Sequence, residues 1–153
     1  ISDNNFFAFT GTNGKSSSSY LCHQLLINLG YESLYIGTLG VQFNQEKFDK
    51  TFSSKTTPDI FELFDILRDT KFEDAGNICI EISSHALDQK RLSQIGWFNS
   101  TSILNITSDH LDYHNTCLNL SSMIKIQLHY RNLLPPRVLL LNNILLEVFN
   151  FYG

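Results

Sequence analysis

The segment best suited to do chemistry is residues 10–17 (TGTNGKSS), which lies between an apolar, strand-like run and a helical pattern. Backbone N–H groups of a glycine-containing turn at a helix N-terminus bind phosphate oxygens. Lys15 would then neutralise the β- and γ-phosphates, and the Ser16 hydroxyl would ligate Mg²⁺. The strict P-loop has glycine where this chain has Phe9, so the sequence predicts a shorter variant of that loop. The alternative is a glycine-rich turn in which serine caps the helix.

Acidic groups follow two other predicted strands. Glu81 lies near the end of the apolar run 78–82, and a carboxylate at the carboxyl end of a parallel strand faces the ligand crevice of α/β sheets. It would hold Mg²⁺ or orient water; the alternative is an ordinary charge at a strand end. Residues 109–114 (DHLDYH) contain two aspartates and two histidines, which indicates metal or substrate contacts, or else a polar helix-capping loop. No thiolate or spaced histidine pair completes a zinc site.

The remaining lysine, histidine and cysteine candidates are more isolated. Lys125 lies among apolar neighbours in a predicted helix. It either extends to solvent or, if desolvated, supplies a neutral amine for chemistry. His23 and His129 are expected at the surface of helices, whereas His85 fits either environment. The three cysteines are far apart and form no CxxC pair, which argues against a disulfide framework, and Cys79 is predicted to be a buried small hydrophobe.

The elements that must position these groups alternate between strands and helices, which predicts an α/β domain with a mostly parallel sheet and crossover helices. Residues 40–55 are predicted to form a hairpin or a surface loop. The predicted strands are 5–10, 31–38, 77–82, 100–106 and 138–142, and the predicted helices are 16–29, 58–70, 84–92 and 119–130.

Residue types also predict the faces and ends of two helices. In the first helix, Gly30 is the C-terminal stop. In the second, Thr57 is a candidate cap and Pro58 takes the first helical position. The apolar face of the first helix contains Leu21, Leu25, Leu26 and Leu29, and that of the second contains Ile60, Leu63, Phe64 and Leu67.

Composition excludes several classes of protein. The chain has 153 residues, 42% hydrophobic and 17% charged, which fits one folded domain rather than a disordered tail. No apolar run approaches the roughly 20 residues of a membrane-spanning helix. A net charge of −4 without a basic block disfavours nucleic-acid binding. No signal peptide is visible, so the cytoplasm is expected, and the start without Met suggests a fragment.

Five segments, taken in order, resemble the Mur ligase family, the ATP-dependent amino-acid ligases of peptidoglycan precursor synthesis. Within that family they are most similar to the MurE branch, which adds the third peptide residue. GTNGK is shared with folylpolyglutamate synthetases, whereas the other segments are more specific. The matching segments are 10–17 (TGTNGKSS), 56–59 (TTPD), 81–87 (EISSHAL), Gln89 with Arg91, and 109–114 (DHLDYH).

The resemblance implies a Rossmann-like ATPase core and a set of site residues. Residues 1–153 would be an incomplete central domain, with the N-terminal uridine-binding and C-terminal amino-acid-binding domains outside this chain. The ATP-binding residues would be Gly11, Thr12, Asn13, Gly14, Lys15, Ser16 and Ser17. The Mg²⁺ ligands would be Ser16, Glu81, His110 and a carbamoylated Lys125, and the catalytic residues Lys15, Lys125 and His110. The residues contacting the UDP-MurNAc-dipeptide would be Thr56, Thr57, Ser83, Gln89 and Arg91.

The function implied is ATP-dependent ligation of an amino acid to UDP-MurNAc-L-Ala-D-Glu through an acyl phosphate. The partners would be small-molecule substrates rather than nucleic acid or a membrane; the identity of the amino acid and the oligomeric state stay open. One alternative is a folylpolyglutamate-synthetase-like ligase. Another is a non-catalytic nucleotide-binding remnant, favoured by the altered residues around Lys125 and the lack of acidic residues after Asn143.

Overall fold

The computed structural model describes residues 4–48, 56–72, 74–92, 98–105 and 137–140. The strands are β1 Asn5–Thr10, β2 Ser33–Gly37, β3 Gly40–Phe43, β4 Glu46–Phe48, β5 Asn77–Glu81, β6 Ser100–Ile103 and β7 Arg137–Leu140. The helices are α1 Lys15–Asn28, α2 Ile60–Leu67 and α3 Ser84–Asp88, with a short 3₁₀ helix at Thr70–Phe72. None of the helices within these ranges is long and apolar enough to span a membrane. The predicted helix 119–130 lies outside the described residues.

The strands form one sheet in the order β4-β3-β2-β5-β1-β6-β7. β2, β5, β1, β6 and β7 run parallel, and β3 and β4 add an antiparallel hairpin at one edge. The predicted α/β class with a mostly parallel sheet is therefore confirmed. In the register, Phe9 pairs with Glu81 and Thr10 with Ile103. The carboxyl ends of β5, β1 and β6 consequently meet at the same edge, where α/β sheets bind ligands.

The two faces of the sheet differ in chemistry because side chains alternate along each strand. On β5, Ile78 and Ile80 lie on the face that packs into the apolar core with Leu63 of α2. Cys79 and Glu81 lie on the opposite face, against which α1 packs. The face toward α1 therefore carries the Glu81 carboxylate.

Helix α1 packs through a polar face rather than the predicted leucine face. Leu21, Leu25 and Leu29 are 65%, 58% and 63% exposed, whereas Ser19 and His23 are completely buried. The expectation that His23 lies at the surface is wrong. Burial of Ser19 is tolerated because its hydroxyl donates to two helix carbonyls, at 2.8 and 3.2 Å.

Helix α2 begins later than predicted. Asp59 is its N-cap, and the Asp59 carboxylate accepts from the N–H groups of Phe61 and Glu62, both at 3.0 Å. The Glu62 carboxylate accepts from the Asp59 N–H at 2.9 Å, which completes a capping box. The predictions of Thr57 as cap and Pro58 as first helical residue are therefore wrong, because the reciprocal Asp–Glu pair fixes the start.

The remaining helix features follow from single residues. Gly30 adopts φ +84° directly after α1 ends, so its prediction as the stop is confirmed. Ser83 caps α3 by accepting from the Ala86 N–H at 3.2 Å. α3 ends at Asp88 rather than at residue 92. In α2 the buried positions are Leu63 and Ile66, while Ile60, Phe64 and Leu67 are partly buried.

Candidate functional site

The turn between β1 and α1 has the geometry of an anion-binding loop. Gly11 and Gly14 have φ values of +141° and +85°, which favour glycine. Gly14 is the N-cap of α1, and no side chain in the described part of the chain caps this helix. The first N–H groups of α1 therefore face the loop, an arrangement that suits phosphate oxygens.

The Lys15 side chain folds back over this loop. Its Nζ atom donates to the carbonyl of Gly11 at 2.7 Å and to that of Thr12 at 2.9 Å. The positive charge thus lies directly beside the amides that would receive a phosphate, and the two carbonyls are contacts that it can exchange for phosphate oxygens. Ser17 is exposed in the first turn of α1.

Asn105, which sequence reasoning missed, joins the loop to the end of β6. Its Oδ1 atom accepts from the Asn13 N–H at 2.9 Å, and its Nδ2 atom donates to the Asn13 carbonyl at 2.9 Å. The Thr12 N–H donates to the Asn105 carbonyl at 3.1 Å. A Cβ on Gly11 would lie 2.9 Å from that carbonyl oxygen. The available signal was a polar residue just after a strand that neighbours β1.

Glu81 lies fully buried at the end of β5, within reach of α1. Its Oε2 atom accepts from the Ser16 hydroxyl at 2.8 Å and from the Thr38 hydroxyl at 3.1 Å. Its Oε1 atom accepts from the Thr38 N–H at 2.9 Å and from the Tyr35 hydroxyl. The structure thus brings together Ser16 and Glu81, two of the four predicted metal ligands, and adds Tyr35 and Thr38, which sequence reasoning did not identify.

Tyr35 is held as a hydrogen-bond donor to Glu81. Burial, followed by the hydrogen bond and charge of Glu81, raises the pKa of Tyr35 well above its usual value of 10.0. The phenol therefore stays protonated at any physiological pH. Gly37 provides the space for this pair, because a Cβ at that position would overlap the Glu81 carboxyl group and the Tyr35 hydroxyl.

The chemistry of this donor set fits a hard cation. All four hydrogen bonds to the Glu81 carboxylate come from neutral groups, and within the described ranges it forms no ion pair. A buried carboxylate without a countercharge is costly, and carboxylate and hydroxyl oxygens are the ligands that Mg²⁺ prefers. Ser16 and Glu81 would be the residues that hold it. The described ranges contain no cluster of three or more His, Cys, Asp or Glu side chains that would bind a metal by themselves.

A second cluster contains the predicted substrate residues. The Thr57 hydroxyl donates to the Glu81 carbonyl at 2.9 Å, and accepts from the Ser83 N–H at 2.9 Å. Arg91 donates to the Thr57 carbonyl at 2.9 Å and to the Gln89 side-chain carbonyl at 2.8 Å. Four predicted residues therefore meet beside the backbone of Glu81. The fifth, Thr56, is adjacent in the chain and half-buried.

Two predicted residues cannot be placed relative to this site. His110, with the rest of segment 109–114, and Lys125 lie outside the described residues. The roles of His110 and Lys125 stay predictions.

Comparison with known proteins identifies relatives of this chain. Residues 9–143 match the Mur ligase middle domain family. The chain is 39% identical over 107 residues to the UDP-N-acetylmuramoyl-L-alanyl-D-glutamate–2,6-diaminopimelate ligase of Wolinella succinogenes, covering 70% of this chain and 24% of that protein. It is 38% identical over 107 residues to the corresponding L-lysine ligase of Staphylococcus haemolyticus, covering 70% of this chain and 21% of that protein.

A solved structure shows the same fold. The structure of a UDP-N-acetylmuramoyl-L-alanyl-D-glutamate–2,6-diaminopimelate ligase superposes with a TM-score of 0.69 and 25% identity, over 90% of this chain and 31% of that one. The chain thus spans about a quarter of the length of the relatives it matches. The match over residues 9–143 includes the loop between β1 and α1 (the proposed phosphate loop), Glu81 and the residues around Thr57. The chain belongs to the Mur ligase family, and it corresponds to the middle domain of those enzymes.

Proposed function

We propose that this chain provides the nucleotide- and metal-binding part of a cytoplasmic, ATP-dependent ligase that adds the third amino acid to UDP-MurNAc-L-Ala-D-Glu. The observation that carries the proposal is the 2.8 Å hydrogen bond between Ser16 and Glu81 beside the phosphate loop. It joins a hydroxyl in the first turn of α1 to a buried carboxylate at the ligand edge of the sheet. Relatives named as muramoyl-dipeptide ligases favour this substrate over a folate.

The chemistry requires two anions to approach each other. The carboxylate of the substrate attacks the γ-phosphorus of ATP, the bond to the β,γ-bridging oxygen breaks, and an acyl phosphate and ADP result. The amine of the incoming amino acid then attacks the acyl carbon, loses a proton, and displaces inorganic phosphate to leave an amide. The chain lowers the repulsion of the first step by holding the phosphates on the amides of the loop and on Lys15.

The metal-binding residues assist at the same place. Bound Mg²⁺ would supply positive charge to the phosphate oxygens. Ser16 and Glu81 would hold it, with His110 and a carbamoylated Lys125 as further ligands. Because Glu81 is buried and hydrogen-bonded on both oxygens, it is fixed in position before any cation arrives.

The cluster around Thr57 is the proposed contact surface for the muramoyl dipeptide. Arg91 is anchored by hydrogen bonds to Thr57 and Gln89, so its guanidinium group is held in a defined orientation. A held guanidinium recognises a carboxylate or phosphate through paired hydrogen bonds. The hydrogen bond from Thr57 to the Glu81 carbonyl connects this surface to the metal-binding strand.

Calorimetric titration of Mg²⁺-ATP into the chain and into Lys15→Ala tests the proposal. Lys15→Ala should weaken binding about ten-fold or more, because a charged hydrogen bond to phosphate is lost. Lys47→Ala is the matched control, since Lys47 is exposed on β4 in the edge hairpin, and it should bind as the unaltered chain does. A second titration with UDP-MurNAc-L-Ala-D-Glu, comparing Arg91→Ala, tests the substrate surface.

Three results of these titrations would contradict the proposed function. A chain with native-like near-UV circular dichroism that binds no nucleotide would refute nucleotide binding by this chain. Equal binding by Lys15→Ala and the unaltered chain would refute the role of Lys15. A folate that binds in place of the muramoyl nucleotide would support the folylpolyglutamate-synthetase-like alternative.

A further inference from the structure

The two carboxylate oxygens of Glu81 have different partners. Oε1 accepts from the Thr38 N–H at 2.9 Å and from the Tyr35 hydroxyl. Oε2 accepts from two aliphatic hydroxyls, Ser16 at 2.8 Å and Thr38 at 3.1 Å. One oxygen is thus held by a backbone amide and a phenol, and the other by serine and threonine side chains.

This difference decides which oxygen can accept a cation. A backbone N–H is a donor only. It has no lone pair that it could turn toward a metal ion bound at Oε1. The Tyr35 hydroxyl directs its proton to Glu81, and its own oxygen accepts from the Leu39 N–H at 3.4 Å. Serine and threonine hydroxyls rotate freely and present lone pairs as readily as protons. The two hydroxyl partners of Oε2 can therefore turn their own oxygens toward a cation bound there, whereas the backbone N–H and the phenol on Oε1 cannot.

Packing prevents Tyr35 from moving away. The Tyr35 side chain is fully buried, and its ring lies edge-on to Tyr20 with centroids 5.5 Å apart and tilted to His23 at 6.0 Å. Gly37 lies so close that it has no room for a side chain. The contact between Tyr35 and Oε1 is therefore a fixed part of the site rather than one rotamer among several.

We propose that Tyr35 is a positioning residue that restricts Glu81 to binding a cation through Oε2 alone and thereby makes the site prefer Mg²⁺ over Ca²⁺. Ca²⁺ readily takes both oxygens of a carboxylate in flexible geometry, whereas Mg²⁺ binds single oxygens in a strict octahedron. Blocking one oxygen removes the bidentate mode that favours Ca²⁺. The inference rests on the proposed function, because it requires a divalent cation at Ser16 and Glu81.

The test measures cation preference rather than activity. Mn²⁺ binding to the chain is followed by electron paramagnetic resonance, and Mg²⁺ and Ca²⁺ are titrated as competitors. Tyr35→Phe should lower the ratio of Mg²⁺ to Ca²⁺ affinity about ten-fold, the size expected when a partner of a metal ligand is removed. Tyr20→Phe is the control, because it removes the hydroxyl of the neighbouring ring and leaves the partners of Glu81 in place, so it should leave the ratio unchanged.

A second variant distinguishes a change in cation preference from a general loss of cation affinity. Thr38→Val removes the hydroxyl donor to Oε2 but keeps the N–H donor to Oε1, so it should change the affinity for both cations alike. An unchanged ratio in Tyr35→Phe would overturn the inference while leaving the metal site in place. Equal Mn²⁺ binding by Glu81→Gln and the unaltered chain would instead refute the metal site of the proposed function, and the inference with it.

Discussion

Asn105 forms a two-point hydrogen-bonded pair with the backbone of Asn13, accepting from its N–H and donating to its carbonyl, both at 2.9 Å. Asn99 makes a similar connection at the opposite end of β6. It accepts from the Phe6 N–H at 2.8 Å and donates to the Asn5 side chain at 3.0 Å. Asn99 thus joins the start of β6 to β1, whereas Asn105 joins the end of β6 to the loop between β1 and α1.

Asn105→Ala should weaken Mg²⁺-ATP binding about ten-fold, because two hydrogen bonds that order the loop are lost, each contributing about 1 kcal/mol. Asn99→Ala loses comparable contacts far from the loop, so it should lower the free energy of unfolding without changing ATP affinity. Calorimetry and urea unfolding on both variants separate the two effects. Equal ATP affinities in the two variants would mean that Asn105 is only structural.

Gly37→Ala should disrupt the proposed metal site at Glu81 directly. The added Cβ would overlap the Glu81 carboxyl group and lie 2.6 Å from the Tyr35 hydroxyl. We expect a loss of about 1–3 kcal/mol in the free energy of unfolding, as for other overpacked sites, together with the loss of Mn²⁺ binding. Gly76→Ala is the matched control, since its Cβ would meet no atom within 4 Å. Unchanged Mn²⁺ binding by Gly37→Ala would contradict the placement of the cation at Glu81.

Patterns of neighbouring residues in the sequence were sufficient to predict the parallel sheet and the position of Glu81 at the end of one strand. Alternating apolar runs and helical segments predicted the parallel strands, and the end of β5 placed Glu81 at the ligand edge. The loop at Gly14 was predicted to bind phosphate because its residue types, in that order, are suited to this chemistry. These features depend on residues close together in the chain, which is why sequence reasoning reached them.

Patterns of neighbouring residues could not predict the hydrogen-bond partners of the Glu81 carboxylate. Tyr35 and Thr38 come from the end of β2, more than 40 residues earlier in the chain, and they meet Glu81 only because β2 and β5 are neighbours in register. Within its strand Tyr35 is indistinguishable from a core aromatic. The leucine spacing on α1 gave a wrong prediction for a related reason. His23 is buried because β2 and the turn between β3 and β4 supply its hydrogen-bond partners.

His23 should make the stability of the chain depend on pH. It is fully buried, its Nε2 atom lies 3.2 Å from the Asn44 carbonyl, and its Nδ1 atom lies 2.9 Å from the Ser33 hydroxyl. Because a carbonyl only accepts, Nε2 donates to Asn44, and in the neutral form of the ring Nδ1 accepts from the Ser33 hydroxyl. Burial lowers the pKa of His23 below its usual 6.5.

The neutral form of His23 therefore contributes stability that is fully present above pH 6.5 and is lost as the pH falls through that value toward the lower pKa of the folded state. Urea unfolding between about pH 8 and pH 5 should show a smaller loss of stability for His23→Gln, which keeps a donor and an acceptor but does not titrate. His85→Gln serves as the control, because it leaves His23 in place. Its free energy of unfolding should fall with pH as that of the unaltered chain does. Identical pH profiles for the unaltered chain and His23→Gln would show that His23 takes up its proton as readily in the folded chain as in the unfolded one.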